Sequence, residues 1–333
     1  MRLSSPSIVL VAERTPITMT KNNTCDLALV CPCEKKAALV RAESGFTCTF
    51  GECEHSMNGR HFPVVDGIPQ IISDLKCDTI CSFGSTRSFI PRPYSYLHQL
   101  KRLLMGDNKE TLENCRTFVS CVAEHSGTPK VLIVGSGEKG AGTADLWDSP
   151  RIQLTGVDVY ASPTTNVVCD AHYLPFPDNH FDGVWIQAVL EHVVQPEVVV
   201  NEIFRVLKGG GVVYAETPFM QQVHEGAYDF SRFTVLGHRY LFKRFSAIRI
   251  GGLGGPHIVF AWSVRYLIWS ISRSKRFAQV FGVLLQIILR PLSLVISQSS
   301  MHDASSGVFF LGRKESDHRL THKQLVSLYS GQF

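Results

Sequence analysis

Residues 131–143 read VLIVGSGEKGAGT, an apolar run that ends in a glycine-rich turn. The letters GSGEKG fit the pattern G-x-G-x-x-G, which exposes backbone N–H groups and lets a ligand approach the main chain closely. About twenty residues further on, Asp158 ends the run LTGVDVY and could accept hydrogen bonds from ribose hydroxyls. The pair predicts a nucleoside-bearing cofactor. A nicotinamide dehydrogenase would show the same pair, and the glycines could also serve only a tight turn.

A second acid favours one class of cofactor. Asp170 follows the next apolar run, NVVC, and opens the segment DAHYLPF. Two acids at the carboxyl edge of neighbouring strands can accept hydrogen bonds from a diol and from an amino group, whereas a pyrophosphate would be poorly served by the second acid. The pattern therefore favours a cofactor without a pyrophosphate.

The segments LPFPDNHFDGVWIQAVLEHV and FRVLKGGGVVYAETP resemble class I S-adenosylmethionine-dependent methyltransferases, in particular the ubiquinone and menaquinone biosynthesis branch. The resemblance covers residues 129–252 and returns at SSGVFFLGRK. It implies that the glycine turn holds the amino-acid end of S-adenosylmethionine, that Asp158 binds the ribose and that Asp170 meets the adenine. The cofactor residues that it implies are Gly135, Ser136, Gly137, Asp158, Val159, Asp170, Ala171 and Gln187.

Candidates for the acceptor side lie in HEGAYDFSRFT, whose form H-x-x-x-x-D-x-x-R-F-T resembles a methyltransferase subgroup that modifies glycans or other small molecules. We expect His224, Tyr228, Asp229 and Arg232 to cover the pocket as a lid and to contact substrate. Alternatively, Asp229 and Arg232, three residues apart, form an ion pair that organises the lid. A hydroxyl acceptor would benefit from a base, and His192 and His224 are the candidates.

A cysteine-rich segment, residues 25–75, could bind a metal. Its tail FPVVDGIPQII resembles the small zinc-ribbon-like protein that activates several RNA and protein methyltransferases. We expect a small β-rich domain fused in front of the main domain, separate from the core of the glycine turn and held by a structural zinc or by docking against the main domain, because its own core is too small. His55 could replace one ligand, and a ribbon that has lost its metal is the alternative. The candidate zinc ligands are Cys31, Cys33, Cys48 and Cys53.

The elements that would position these residues alternate between strands and helices. KVLIVG, QLTGVDVY, NVVCDA, FDGVWIQAV and GGVVYAETPF predict strands, and PEVVVNEIFRVLKG predicts an amphipathic helix with a glycine C-cap. This order is typical of an α/β fold with a doubly wound, mainly parallel sheet. The resemblance implies a Rossmann-like methyltransferase sheet of seven strands.

The chain of 333 residues is long enough for a large domain and an appendage. We expect a disordered tail first, with Met19 as an alternative start, then the cysteine-rich domain, a linker with lead-in helices, the methyltransferase domain with a helical insert, and a C-terminal tail. The boundaries are 1–24, 25–75, 76–128, 129–313 with the insert at about 257–300, and 314–333.

The insert is strongly apolar, but Gln286 and Arg290 interrupt it before an uninterrupted span of ~20 residues is reached. Buried helices are the favoured interpretation. An interfacial helix, assisted by nearby basic residues, would give peripheral membrane contact, and a transmembrane helix is the least favoured alternative.

The net charge and the placement of the cysteines limit which classes of partner and which cellular compartment are expected. A formal charge of +4 without a long basic run does not indicate nucleic acid, and the Asn/Asp-Pro-Pro-aromatic box of base-methylating enzymes is absent where the chain reads IQAVLEHV. Crowded cysteines favour a metal site in a reducing cytoplasm over disulfides. We therefore expect a cytoplasmic methyltransferase for a small-molecule, glycan or lipid-linked acceptor, and not for DNA. The rivals are a cofactor-binding scaffold without activity and an NAD-dependent oxidoreductase.

Overall fold

The computed structural model describes residues 27–57, 61–73, 108–125 and 127–332. The expected N-terminal tail and most of the expected linker lie outside the described residues. Within the described ranges, eleven strands form one continuous sheet.

The cysteine-rich segment forms one end of this sheet. Its elements are β1 (Leu39–Ala42), β2 (Gly45–Cys48), α1 (Glu54–Met57), β3 (Phe62–Val65) and β4 (Ile68–Ile71). The four strands pair antiparallel in chain order. Asp66 and Gly67 both have positive φ between β3 and β4, which fits the sharp turn predicted from the Asp-Gly sequence.

The central elements alternate as expected from the apolar runs. In chain order they are α2 (Lys109–Ala123), β5 (Lys130–Val134), α3 (Ala144–Trp147), β6 (Gln153–Asp158), β7 (Val167–Cys169), β8 (Phe181–Gln187), α4 (Pro196–Val206) and β9 (Leu207–Pro218). The strands β5, β7 and β8 are buried almost throughout, because helices or other elements cover both faces.

The remaining elements complete the sheet and add helices at its far edge. They are α5 (Val235–Leu241), β10 (Phe245–Leu253), α6 (Pro256–Ser272), α7 (Lys275–Leu289), α8 (Gln298–Ala304), β11 (Gly307–Lys314) and α9 (His322–Ser327). The last helix begins with a capping box between Thr321 and Gln324.

The strand order is β1-β2-β3-β4-β7-β6-β5-β8-β9-β11-β10. From β7 to β10, all neighbours are parallel except β11, which runs antiparallel to both β9 and β10. These seven strands confirm the predicted doubly wound, mainly parallel sheet. Its parallel strands all end at one edge, where the side chains predicted to bind the cofactor follow β5, β6, β7 and β8.

The cysteine-rich segment docks against the main domain, which was one of the two alternatives, and the expectation that the glycine turn belongs to a separate core is wrong. β4 pairs parallel with β7, joining Ile71 to Cys169 in register. Cys31 and Phe62 belong to the same buried cluster as Leu132 of β5. The physical reason is size, because about fifty residues bury too little apolar surface to be stable alone and gain by sharing a larger core.

Two further expectations differ from the structure. α4 ends at Val206 without the predicted glycine C-cap, and β9 begins at once with Leu207, which is held in register opposite Phe181. The helices of the insert are not buried: α6 has one buried residue, Ala261, and α7 buries only Ala278, Gly282 and Gln286. Both helices follow the edge strand β10 and, among the described residues, pack mainly against each other.

Candidate functional site

The glycine turn after β5 has the conformation that the motif requires. Gly135 has φ +79°, and its N–H donates to the Val157 carbonyl oxygen at 2.9 Å. A Cβ on Gly135 would lie 2.2 Å from the Val189 Cγ2. Both the backbone angle and the contact therefore exclude a larger residue. The contact also shows that the chain after β8 passes directly against the glycine turn.

Asp158 is fixed against the turn. Its Oδ2 accepts a hydrogen bond from the Gly137 N–H at 2.7 Å, and its Oδ1 accepts one from the Val159 N–H at 2.7 Å. The Tyr160 hydroxyl lies so close to Gly137 that a Cβ there would come within 2.0 Å of it. The carboxylate is thus held beside the glycine-rich loop.

Not every predicted cofactor residue presents its side chain to this loop. Ser136 is fully buried, and its Oγ lies 3.5 Å from the Thr165 Oγ1, so only its main chain can face a ligand. Val159 packs against the buried pair Ile72 and Val168.

Asp170 lies at the same edge of the sheet as Asp158, because Asp158 is in register with Val168 of β7. Asp170 caps the short 3-10 helix Ala171–Tyr173, and its Oδ1 accepts from the His172 N–H at 2.9 Å and lies 2.6 Å from the His172 Nδ1. Asp170 and Ala171 are both buried. The second acid is therefore held by His172 at the same sheet edge as Asp158.

Gln187 ends β8 beneath the glycine-rich loop. A Cβ on Gly140 would lie 2.1 Å from the Gln187 Oε1, and the Gln187 Nε2 donates to the Ala141 carbonyl at 3.3 Å. The same amide donates to the Glu216 Oε1 at 2.9 Å. Gln187 thereby ties the loop to the end of β9.

Sequence analysis missed Glu216, which organises this part of the site. Its carboxylate accepts hydrogen bonds from the Tyr214 hydroxyl at 2.7 Å and from the Thr111 hydroxyl at 3.1 Å, besides the one from Gln187. Removal from water raises the pKa of Glu216, although the three donors act in the opposite direction. The sequence feature that could have indicated Glu216 is an acid at the end of an apolar strand, in YAETP. Its partner Thr111 lies in α2, which the sequence treated as part of a linker.

The segment after β8 carries the acceptor-side candidates towards the loop. Ala188 adopts φ +54°, a left-handed angle that turns the chain sharply, and its N–H donates to the Glu216 carbonyl at 2.9 Å. Val189 then meets Gly135, and the 3-10 helix Leu190–His192 follows. Glu191 and His192 are consequently adjacent to the cofactor loop.

Three side chains converge there. The Glu191 Oε1 lies 3.6 Å from the His192 Nε2 and 3.9 Å from the His224 Nε2, and the two imidazole centroids are 4.9 Å apart. Among the described residues, neither Glu191 carboxylate oxygen has a hydrogen-bond partner. Burial raises the pKa of Glu191 to about 8, so this carboxyl group is mostly protonated at neutral pH.

The two histidines are oriented by acceptors on their other ring nitrogen. The His192 Nδ1 lies 2.6 Å from the Tyr228 carbonyl oxygen, and the His224 Nδ1 lies 3.1 Å from the Asp229 Oδ2. Because a carbonyl oxygen only accepts, the His192 Nδ1 carries its hydrogen, and the Asp229 carboxylate lies within ion-pair distance of the His224 ring. The predicted lid residue Tyr228 thus contacts His192 through its main-chain carbonyl and not through its side chain.

Arg232 and Asp229 form the ion pair that was the alternative to substrate contact. The Arg232 guanidinium binds both Asp229 oxygens, at 2.6 Å for the Nη2–Oδ2 pair, and its Nε donates to the Gln221 carbonyl at 3.0 Å. Burial would raise the pKa of Asp229, but the bonds from Arg232 and the His224 N–H outweigh it and bring it to about 2. The ion pair therefore keeps Asp229 ionised beside His224 and ties together the segment 222–233, the predicted lid.

The four predicted zinc ligands come together. The thiols of Cys31, Cys33, Cys48 and Cys53 are all buried, and their sulfur atoms lie within 4.8 Å of one another. Four thiols at this separation fit a tetrahedral zinc site. His55, the candidate replacement, lies outside the group, with its Nε2 3.3 Å from the Ser73 Oγ and its ring 5.2 Å from that of Phe62.

Comparison with known proteins agrees with the geometry. Residues 132–215 match the family model described as "Methyltransferase domain". The chain is 32% identical over 123 residues to the ubiquinone/menaquinone biosynthesis C-methyltransferase of Desulfotalea psychrophila, covering 33% of this chain and 48% of that protein. The chain thus spans about half the length of this curated relative.

Solved structures of methyltransferases are also similar. The phosphoethanolamine N-methyltransferase 2 of Haemonchus contortus, in complex with S-adenosyl-L-methionine, has a TM-score of 0.43 at 17% identity, over 70% of this chain and 60% of that one. A SAM-dependent methyltransferase from Archaeoglobus fulgidus has a TM-score of 0.41 at 16% identity, over 66% of this chain and 100% of that one.

Proposed function

We propose that this protein is a methyltransferase that uses S-adenosylmethionine and acts on a small-molecule, glycan or lipid-linked acceptor. The observation that carries the proposal is the position of Asp158, whose carboxylate is held by the Gly137 and Val159 N–H groups at the mouth of the glycine loop. The methyltransferase-domain match over residues 132–215 supports the same cofactor.

The same geometry disfavours the dinucleotide alternative. A pyrophosphate on the glycine turn would meet the negative charge of Asp158 at the Gly137 N–H, the group that would otherwise bind phosphate. The helix after the loop, Ala144–Trp147, has only 4 residues, so it offers a weak dipole to an anion. A neutral ribose diol, in contrast, gains a hydrogen-bond acceptor from Asp158.

His224 is the residue that we assign to the acceptor proton. S-adenosylmethionine would supply a methyl group on a sulfonium sulfur, which takes the electron pair of the broken bond as the acceptor atom forms the new one. The His224 Nε2 faces the pocket, and Asp229 would stabilise the imidazolium that forms when His224 takes the proton. Burial and then the neighbouring His192 lower the pKa of His224, so it is neutral and able to accept a proton at pH 7.

The protonation of Glu191 and the exposure of His224 both fit the role of His224 as the base. A mostly protonated Glu191 adds no negative charge beside the His224 Nε2, 3.9 Å from its Oε1, so Asp229 on the other side of the ring is the anion that acts on His224. The His224 side chain retains 28% of its surface exposed, enough to reach an acceptor, whereas Glu191 has none exposed. Positioning of the two reactants supplies much of the rate in a transfer of this kind.

The cysteine cluster is the place for a structural zinc ion. We propose that Cys31, Cys33, Cys48 and Cys53 hold it, because their four buried sulfur atoms lie within 4.8 Å of one another. The ion would fix the segment that carries β1 and β2 against the main domain.

A transfer assay tests the proposal. The full chain is incubated with S-adenosylmethionine that carries tritium in its methyl group, together with a water-soluble metabolite extract or a lipid extract as acceptor pool. We expect labelled product from one pool, and a rate about 10² to 10⁴ lower for His224→Asn with unchanged cofactor affinity. The matched control is His61→Asn, an exposed histidine on the cysteine-rich segment.

The cofactor-binding scaffold is distinguished by the same experiment. Tight binding of S-adenosylmethionine with no transfer to either pool would favour the scaffold. A rate that His224→Asn leaves unchanged would overturn the assignment of the base, while leaving the methyltransferase itself in place.

A further inference from the structure

Two helices and the turn after them expose an unusual amount of apolar surface. α6, α7 and the following 3-10 turn, residues 256–295, form a helical hairpin that projects from the sheet beyond β10. Ile271 is 76% exposed, Ile288 70% and Leu294 80%. Single exposed apolar residues are ordinary, but a continuous surface of this kind marks an interaction site.

The packing inside the hairpin is inverted relative to a soluble helix pair. The close contact between the helices is made by Gly282, where a Cβ would lie 3.0 Å from the Arg265 side chain. The residues of α7 that are buried are small or polar: Ala278, Gly282 and Gln286. Large apolar side chains such as Phe277 and Leu284 point outward. The outer surface, and not the interface between the helices, is therefore the apolar one.

Charge identifies the partner. The sequence from Phe230 to His302 contains no aspartate or glutamate. Its hairpin portion carries only basic charges, at Arg265, Arg273, Lys275, Arg276 and Arg290. An apolar face bordered by Lys and Arg and free of acids is the pattern that binds an anionic lipid surface.

The position of the charges sets the orientation. The segment Lys275–Leu294 is 20 residues long and contains a window of 18 residues with a mean hydropathy of 1.6, of which 17% is buried, so its length and composition would allow a span. However, Arg273, Lys275 and Arg276 occupy the tip of the hairpin, and to insert as a hairpin the protein would have to carry all three charges through the hydrocarbon to the far leaflet. Lying flat keeps the tip and Arg290 at the headgroups.

We propose that the helical hairpin docks flat on an anionic membrane surface, with the apolar face of α7 at the acyl boundary and its basic ends among the headgroups. The protein is then peripheral and does not span the bilayer.

The docking surface is connected to the candidate site. The Tyr266 hydroxyl donates to the Val223 carbonyl at 2.9 Å, and the Gln222 Nε2 donates to the Ser263 hydroxyl at 3.2 Å, which ties α6 to the lid segment. If the proposed function holds, a docked membrane lies beside the acceptor pocket. The docking itself is independent of that function.

Vesicle flotation without cofactor tests the proposal, so that its outcome does not depend on methyl transfer. The full chain is mixed with vesicles of phosphatidylcholine alone or of phosphatidylcholine and phosphatidylglycerol in equal parts. We expect flotation with the anionic vesicles, weaker binding in high salt, and release by alkaline carbonate. Protein that stays with the bilayer in carbonate would show a span and overturn the peripheral arrangement.

Two double variants locate the surface. Phe281→Ser with Ile288→Ser should weaken binding at least about tenfold, and Lys275→Glu with Arg276→Glu should weaken it about fivefold or more per charge, only at low salt. The matched controls, Val40→Ser and Lys35→Glu, lie at the opposite end of the sheet and should bind like the wild type.

Light scattering on the same samples tests whether a second copy of the chain, and not a membrane, covers the hairpin. A dimer that the Phe281 and Ile288 substitutions dissociate, with no vesicle binding by the wild type, would show that a second copy covers the hairpin and would overturn the proposal. Equal flotation of the wild type and both double variants would overturn it as well.

Discussion

Replacement of Glu191 by glutamine should change how the stability of the protein depends on pH. Glu191 is fully buried, and neither carboxylate oxygen has a hydrogen-bond partner among the described residues. Desolvation raises its pKa from 4.5 to about 8. Between these values the folded protein keeps a proton that the unfolded chain releases. Stability from this group is therefore fully present below the unfolded pKa and is lost as pH rises towards the folded pKa.

The size of the effect follows from the shift. Each pH unit in that window costs about 1.4 kcal/mol, so the total loss for the wild type is on the order of 3 to 5 kcal/mol. Glutamine has nearly the same shape and does not ionise. Glu191→Gln should thus be similar to the wild type near pH ~5 and more stable by several kcal/mol above pH ~8.

Urea unfolding of both proteins across this pH range is the assay. The control is Glu197→Gln, an exposed acid in the first turn of α4, whose curve should run parallel to that of the wild type. If the free energies of unfolding of Glu191→Gln and the wild type differ by a constant amount at all pH values, Glu191 is not held protonated. Glu191 would then carry a negative charge beside the His224 Nε2, contrary to the role described for it.

Three further predictions follow from the site. Gly135→Ala should abolish cofactor binding in calorimetry while Gly209→Ala, in open space, should not, because a Cβ at Gly135 meets Val189 at 2.2 Å. The wild type should contain about one zinc per chain by elemental analysis, and Cys48→Ser should release it and also lower the melting temperature of the main domain, since the core is shared. Hydrogen exchange in residues 222–233 should slow when cofactor and acceptor extract are both added, and equal exchange would count against a lid.

The sequence predicted the central sheet well, because each parallel strand is a short run of apolar residues that ends in a turn. Val131 to Val134 and the strand before Asp158 are buried, as such runs require. The four cysteines could be grouped because their spacing alone suggests a hairpin site. Both features could be predicted because they depend on residues that are close together in the sequence.

Features that depend on contacts between distant elements were missed. The hydrogen bonds to Glu216 come from Thr111, 105 residues away, and from Tyr214 and Gln187. The pairing of β4 with β7 depends on a strand edge that no local pattern reveals. The apolar insert was expected in the core because periodicity cannot show which surface, if any, covers a helix.

Calorimetric titration of the wild type and Asp158→Ala with S-adenosylmethionine, and separately with NAD, tests the central claim most directly. Asp158 accepts two backbone hydrogen bonds and faces the proposed ribose site, so its loss should cost ~1 to 3 kcal/mol, or about ten to a hundredfold in affinity. The exposed control Asp148→Ala should bind like the wild type. We predict binding of S-adenosylmethionine, weakened by Asp158→Ala alone, and no binding of NAD. Binding of NAD, or an affinity for S-adenosylmethionine that Asp158→Ala leaves unchanged, would contradict the proposed cofactor site.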